Sequence, residues 1–122
     1  MLVNKIMVVE DEIIIALDVK NRLESIGYFV CSVIPSAEEA LQAISEQKPD
    51  LILMDIVLKG DMDGMQAAET IVKDYNIPVI FLTSYSDDKT IELALKITPL
   101  GILVKPFNEI DLKQKLEQVA RL

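Results

Sequence analysis

The chain has 122 residues, a net charge of −8, 51% hydrophobic and 5% aromatic residues, one cysteine and no histidine. That bounds it to one domain, residues 1–122, with an aliphatic core and enough chain to bury roughly two-thirds of its unfolded surface. The acidic balance counts against nucleic-acid binding by this domain, which needs clustered Lys and Arg. The missing histidine excludes a histidine triad, a His-containing zinc site and an internal phosphohistidine. Cys31 alone excludes an internal disulfide and a cysteine zinc cluster, and is read as a small buried core residue in a reducing compartment. No apolar run approaches the roughly 20 residues that span a bilayer, and no apolar signal region opens the chain, so a cytoplasmic protein without membrane contact is expected.

Taken in order, residues 5–9 are a short, β-branched run bounded by charge, which predicts a buried parallel strand. Ala16, Val19, Leu23 and Ile26 then recur at helical spacing, and Gly27 ends that helix. Residues 28–33 are the second strand. Ser36 and Glu39 make a capping box for a helix with Ala37, Ala40, Leu41 and Ile44 inward. Lys48-Pro49-Asp50 breaks it and launches the third strand, 51–54. After a loop over 57–63 containing Gly60, Met65 begins a helix with Ala68, Ile71, Val72 and Tyr75 on one face, ended by Asn76-Ile77-Pro78. Residues 79–83 are the fourth strand. Asp87 is a cap for a helix carrying Ile91, Ala94 and Leu95, which ends at 98–101. Residues 102–105 are the fifth strand, stopped by Pro106, and Asn108 caps a last helix with Leu112, Leu116, Val119 and Ala120 inward. Five strands alternating with five helices predict an α/β fold with a parallel sheet covered on both faces.

Each chemical residue of note follows a strand: Glu10 and Asp11 the first, Asp55 the third, Thr83 the fourth, Lys105 the fifth. Parallel strands would bring all five to the carboxyl edge, where open α/β sheets bind ligands. Taken singly, each is more often a solvated strand end or a helix cap; Asp11 could simply complement the first helix dipole. Together they make a different case. Three carboxylates close together want a cation, and a few hard oxygen ligands leaving room for water and phosphate suit Mg²⁺. Lys105 brings a point charge suited to a phosphoryl oxygen, and Thr83 a hydroxyl donor. A carboxylate nucleophile, a divalent cation, a lysine and a hydroxyl are the parts for transferring a phosphoryl group onto an aspartate.

This ordered set resembles the receiver domain of two-component response regulators, over essentially the whole chain. The matching stretches are Met7-Val8-Val9-Glu10-Asp11-Glu12, Leu51-Ile52-Leu53-Met54-Asp55-Ile56, Met62-Asp63-Gly64, Phe81-Leu82-Thr83-Ser84 and Leu103-Val104-Lys105-Pro106-Phe107. The resemblance implies a flavodoxin-like, doubly wound, three-layer α/β/α fold with five parallel strands in the order 2-1-3-4-5. It implies that Asp55 is phosphorylated by a sensor histidine kinase or a histidine phosphotransfer protein. Mg²⁺ would be held by Asp11, Asp55, the backbone carbonyl of Val57 and, through water, Glu10. Thr83 and Lys105 would bind the phosphoryl group, and the bond before Pro106 would be cis. Phosphorylation would reshape the face formed by the fourth helix, fifth strand and fifth helix, which meets a downstream partner or a fused output domain; a phosphorylation-dependent homodimer through that face is one arrangement the residues allow.

The chain departs from the family pattern in places. Ile102 stands where a switch aromatic is common, and Tyr85, two residues after Thr83, is a gating candidate. The loop after Asp55 lacks the usual proline and is one residue longer than in the chemotaxis type. Val57 is apolar where relatives often carry a polar side chain, which predicts slow self-dephosphorylation. An aspartyl phosphatase of the haloacid-dehalogenase type would want an acid at Val57, and a flavin carrier a phosphate-cradling loop where Glu10-Asp11-Glu12 stands. A receiver-like module that no longer takes phosphate would not need the complete five-residue set. The expectation is therefore a phosphoacceptor signalling domain, not an enzyme, and either a stand-alone regulator or part of a longer protein.

Overall fold

A computed structural model describes residues 3–58, 62–84, 88–97 and 99–121. Among these, strands β1 (Lys5–Val9), β2 (Phe29–Ile34), β3 (Leu51–Asp55), β4 (Val79–Thr83) and β5 (Gly101–Val104) alternate with helices α1 (Ile13–Ser25), α2 (Ala37–Gln47), α3 (Gly64–Thr70), α4 (Asp88–Leu95) and α5 (Glu109–Ala120). The strands form one sheet in the order β2-β1-β3-β4-β5, every pair parallel. This is the expected doubly wound, flavodoxin-like topology. The order reverses between β1 and β3, and a crevice opens at such a reversal.

Period-two alternation sorts the strand side chains between two cores. Met7, Val9, Ile52, Met54, Val79 and Phe81 face one way, against Ala37, Ala40 and Ile44 of α2, Ala67 and Ala68 of α3, and Ala94 of α4. Ile6, Val8, Leu51, Leu53, Ile80 and Leu82 face the other, against Val19 and Leu23 of α1 and Leu112, Leu116 and Val119 of α5. Three helices share the first face, and their buried contacts there are largely alanines, which let helix backbones sit close to the sheet. Two helices cover the second with larger Leu and Val side chains.

Strand ends fall close to expectation, with β2 and β5 each displaced by one residue. Gly27 takes φ +100, the left-handed turn that ends α1. Ser36 accepts a hydrogen bond from the Glu39 N–H at 3.2 Å. Reciprocal capping boxes form at Asp63–Gln66 and Asn108–Asp111.

Three inward assignments are corrected. Tyr75 is exposed because α3 continues into a π-helical turn, Ile71–Tyr75, whose extra residue rotates the stripe off the core. Leu95 is exposed because α4 buries only Ala94. Ala120 points outward because Val119, three residues after Leu116, takes the inward position. Cys31 is half-buried against the α2–α3 core rather than fully enclosed. Gly60, Asp87 and Thr98 lie outside the described residues.

Candidate functional site

Register brings the chemical residues to one edge. Val9 pairs with Met54, so Glu10 and Asp55 are level where the sheet order reverses. Thr83 pairs with Val104, and Lys105 follows directly. Backbone bonds carry the ladder past the strands: Glu10 N–H to the Ile34 carbonyl at 2.9 Å, Ile56 N–H to the Leu82 carbonyl at 3.0 Å, and Lys105 N–H to the Thr83 carbonyl at 2.6 Å. Glu10, Asp55 and Thr83 are the buried polar residues of the described chain. Asp11 is half-buried, and a carboxylate oxygen from each of Glu10, Asp11 and Asp55 lies within 4.8 Å of the others.

Lys105 closes this cluster. Its Nζ donates to Glu10 Oε1 at 2.6 Å and to Asp55 Oδ2 at 2.9 Å. Asp55 Oδ1 accepts from the Val57 N–H at 3.1 Å, so both acceptor oxygens of Asp55 are oriented by the protein. Burial, then the neighbouring Asp55 carboxylate, pushes Glu10 up to about 8 against the pull of Lys105. For Lys105, burial works to lower the ammonium's pKa, but hydrogen bonds to Glu10 and Asp55 overcome it and leave it raised. Fully ionised, three carboxylates and one ammonium leave an excess of two negative charges, which either a proton on Glu10 or a dication relieves. Glu10 Oε2 is buried without a hydrogen-bond partner among the described residues. An all-oxygen donor set with an orphaned carboxylate oxygen fits a hard cation such as Mg²⁺.

A family model described as the response regulator receiver domain matches residues 6–117. The chain belongs to that family. Receiver domains are the regulated modules of response regulators in two-component signalling. A probable transcriptional regulator, ycf27 of Guillardia theta, is 32% identical over 117 residues, covering 96% of this receiver domain and 45% of that protein. The signal receiver domain of a modulated diguanylate cyclase from Desulfovibrio desulfuricans G20 is 34% identical with a TM-score of 0.88, over 95% of this chain and 92% of that one. The BeF3-activated N-terminal receiver domain of Klebsiella pneumoniae RstA is 30% identical with a TM-score of 0.87, over 94% and 97% of the two chains. The receiver domain spans about half the length of the curated relatives it matches.

An open cleft of about 570 Å³ on this receiver domain is lined by Asp11, Asp55, Val57, Ser84 and Lys105 among others. Val57 turns its side chain outward while Ile56 and Leu58 are buried on either side. The Lys105–Pro106 peptide is cis. Ile102 is half-buried and packs against the α2–α3–α4 core. Tyr85 lies outside the described residues. The role of Gly64 was missed from the sequence. A Cβ there would stand 1.9 Å from the Asp55 carbonyl oxygen, and the Gly64 N–H donates to the Ile56 carbonyl at 3.0 Å. Only a residue without a side chain lets α3 start this close to the Asp55 backbone. Its signal was the Asp63-Gly64 pair at a helix start, where glycine is otherwise a poor choice.

Proposed function

We propose that Asp55 accepts a phosphoryl group from the phosphohistidine of a sensor histidine kinase or histidine phosphotransfer protein, with Mg²⁺, and that the modification switches a protein-binding face. The observation that carries this reading is the Lys105 ammonium bridging Glu10 and Asp55 at the reversal of the sheet. An Asp55 oxygen attacks phosphorus, the new O–P bond forms as the P–N bond breaks, and the departing imidazole takes a proton. Asp11, Asp55, the Val57 carbonyl and, through water, Glu10 would hold the Mg²⁺, which when bound would neutralise charge on the transferring oxygens. Lys105 exchanges its carboxylate partners for a phosphoryl oxygen, and the Thr83 hydroxyl donates to another. Because the Thr83 carbonyl accepts the Lys105 N–H, a shift of Thr83 is felt at the end of β5. The BeF3-activated state of the similar Klebsiella receiver supports a site that takes a phosphoryl-like group.

Exposed Ile13, Ile14 and Leu17 on α1 form an apolar patch, with a cleft of about 380 Å³ between Ile14, Pro106 and Phe107, and this supports a phosphodonor helix as the partner. The switched face is α4–β5–α5, read by a fused output domain or a downstream protein, or used to form a homodimer; nucleic acid is not its direct ligand. The module acts in the cytoplasm and undergoes only self-catalysed phosphorylation and dephosphorylation. Val57, with an exposed apolar side chain, offers no acid–base group beside Asp55 for turnover.

Incubation with Mg²⁺ and acetyl phosphate, followed by intact mass, tests the reading. One added phosphoryl group is expected, absent in Asp55→Asn and in EDTA. No gain in the wild type with Mg²⁺ bound would favour a module that takes its phosphoryl group only from a kinase or works without one, and a phosphoryl lifetime of seconds would overturn the slow loss expected from Val57.

A further inference from the structure

The Lys105 ammonium is fixed by its ion pairs to Glu10 and Asp55, but those partners do not account for the rest of the side chain. A lysine carries its charge on a flexible four-carbon stem, and the Lys105 side chain is only 16% exposed. A stem hidden to that extent lies along apolar surface. Two clefts flank it. The acceptor cleft of about 570 Å³ and the apolar cleft of about 380 Å³ share three lining residues, Ile15, Lys105 and Pro106, which together form the partition between them. Pro106 is the lysine's own chain neighbour. Ile15 comes from α1, four residues after Asp11, and is half-buried against the α1–α5 core, whereas Ile13 and Ile14 beside it are exposed. A β-branched residue in a helix has one strongly preferred χ1 rotamer, so Ile15 offers a wall of fixed shape.

We propose that Ile15 is a positioning residue of the acceptor site: it walls off the Lys105 stem from the α1-side cleft and so keeps the ammonium aimed between Glu10 and Asp55. Its importance for phosphoryl transfer rests on the reading above; its hold on the lysine of the resting protein does not. A reacting or binding group displaced by about 1 Å can cost about 100-fold in rate, so a loosened stem is felt in the chemistry although Ile15 touches none of the reacting atoms.

The test is the order of the lysine side chains in the intact protein without phosphodonor, read from ¹³C relaxation at Cε. In the wild type Lys105 should be far more ordered than Lys113, which is exposed on α5. Ile15→Ala should lower the Lys105 order parameter by about a third, the gap between ordered and flexible groups, and leave Lys113 unchanged. Ile15→Val, which keeps the branch and loses one carbon, should stay close to wild type. Val19→Ala opens space beside the α1-side cleft alone, so it should leave Lys105 ordered. Ile15→Thr keeps the branch but loses the longer arm; it should give a smaller drop at Lys105 and decides the matter if the alanine variant does not fold. Phosphorylation by acetyl phosphate with Mg²⁺ should slow about 3- to 10-fold in Ile15→Ala and stay within about twofold of wild type in Ile15→Val. An unchanged Lys105 in the folded Ala or Thr variant, or an equal loss of order in Lys113 or in Val19→Ala, would overturn the wall. A loosened Lys105 with an unchanged phosphorylation rate would uphold the wall and overturn the part given to Lys105 in the acceptor reading.

Discussion

Gly64 opens α3 beside Asp55 at the functional edge, Gly101 opens β5 at the other end of the sheet, and a methyl group added to each would meet different things. At Gly64 it would run into the Asp55 backbone at 1.9 Å; at Gly101 it would touch the Lys115 side chain, Cδ at 2.7 Å. Backbone beside a central strand cannot step aside, whereas the outer part of a lysine can. The same contrast runs through the neighbourhoods. All five residues of β3 are buried, and α3 is fastened by a capping box and its alanine contacts. α4 buries only Ala94, and the edge strand β5 leaves Val104 exposed. β3 and α3, beside the acceptor carboxylate, are closely packed, whereas α4 and β5, part of the face proposed above to switch, bury fewer side chains, as a switchable element must.

That contrast can be broken by measurement. The largest effect expected is from Gly64→Ala, which should cost about 3 kcal/mol in urea unfolding through overpacking against backbone. A neutral result would mean that α3 is free to move away from Asp55. Next, native-state hydrogen exchange should find the amides of α4 opening at a free energy about 2 kcal/mol below those of β3. Equal protection would remove the distinction between the flanks.

A smaller effect is expected from the acidic cluster. Glu10 binds its proton more tightly folded than unfolded, its pKa raised from 4.5 to about 8. The stability this contributes is full below 4.5 and is lost as pH rises through about 8. Thermal unfolding of the metal-free protein should therefore show Tm falling over that window, with a shallower fall in Glu10→Gln. Mg²⁺ at ten times its Kd should restore about 1.4 kcal/mol at the alkaline end. A parallel pH dependence in wild type and Glu10→Gln would remove Glu10 as the origin of the slope. The smallest effect is reserved for Gly101→Ala, within about 0.5 kcal/mol of wild type in the same urea experiment. A cost there matching that of Gly64→Ala would show β5 to be held as firmly as β3.

The strands and the identity of the edge residues were legible because both are local signals: an apolar run, then a charged or hydroxyl residue. Sheet order came from the family resemblance, since spacing alone does not say that β1 lies between β2 and β3. The helix faces were legible where helices stayed regular. Tyr75 was misplaced because a π-turn changes the period without a mark in composition. Lys105 could be assigned to the edge, but its simultaneous bonds to Glu10 and Asp55 depend on side-chain paths set by the fold. The bond between Glu38 and the Met62 N–H was not legible, because nothing local in the sequence links residues 24 apart.

Strand alternation also gives the molecule a built-in pair of observers. Met54 and Ile52 report through their methyl groups on the layer under α2, α3 and α4, while Leu53 and Leu51, their neighbours in the same strand, report on the layer under α1 and α5. Selectively methyl-labelled protein thus carries two sets of resonances separated by the thickness of one sheet. A perturbation that enters at Asp55 can be followed into one layer or the other without adding a single foreign probe.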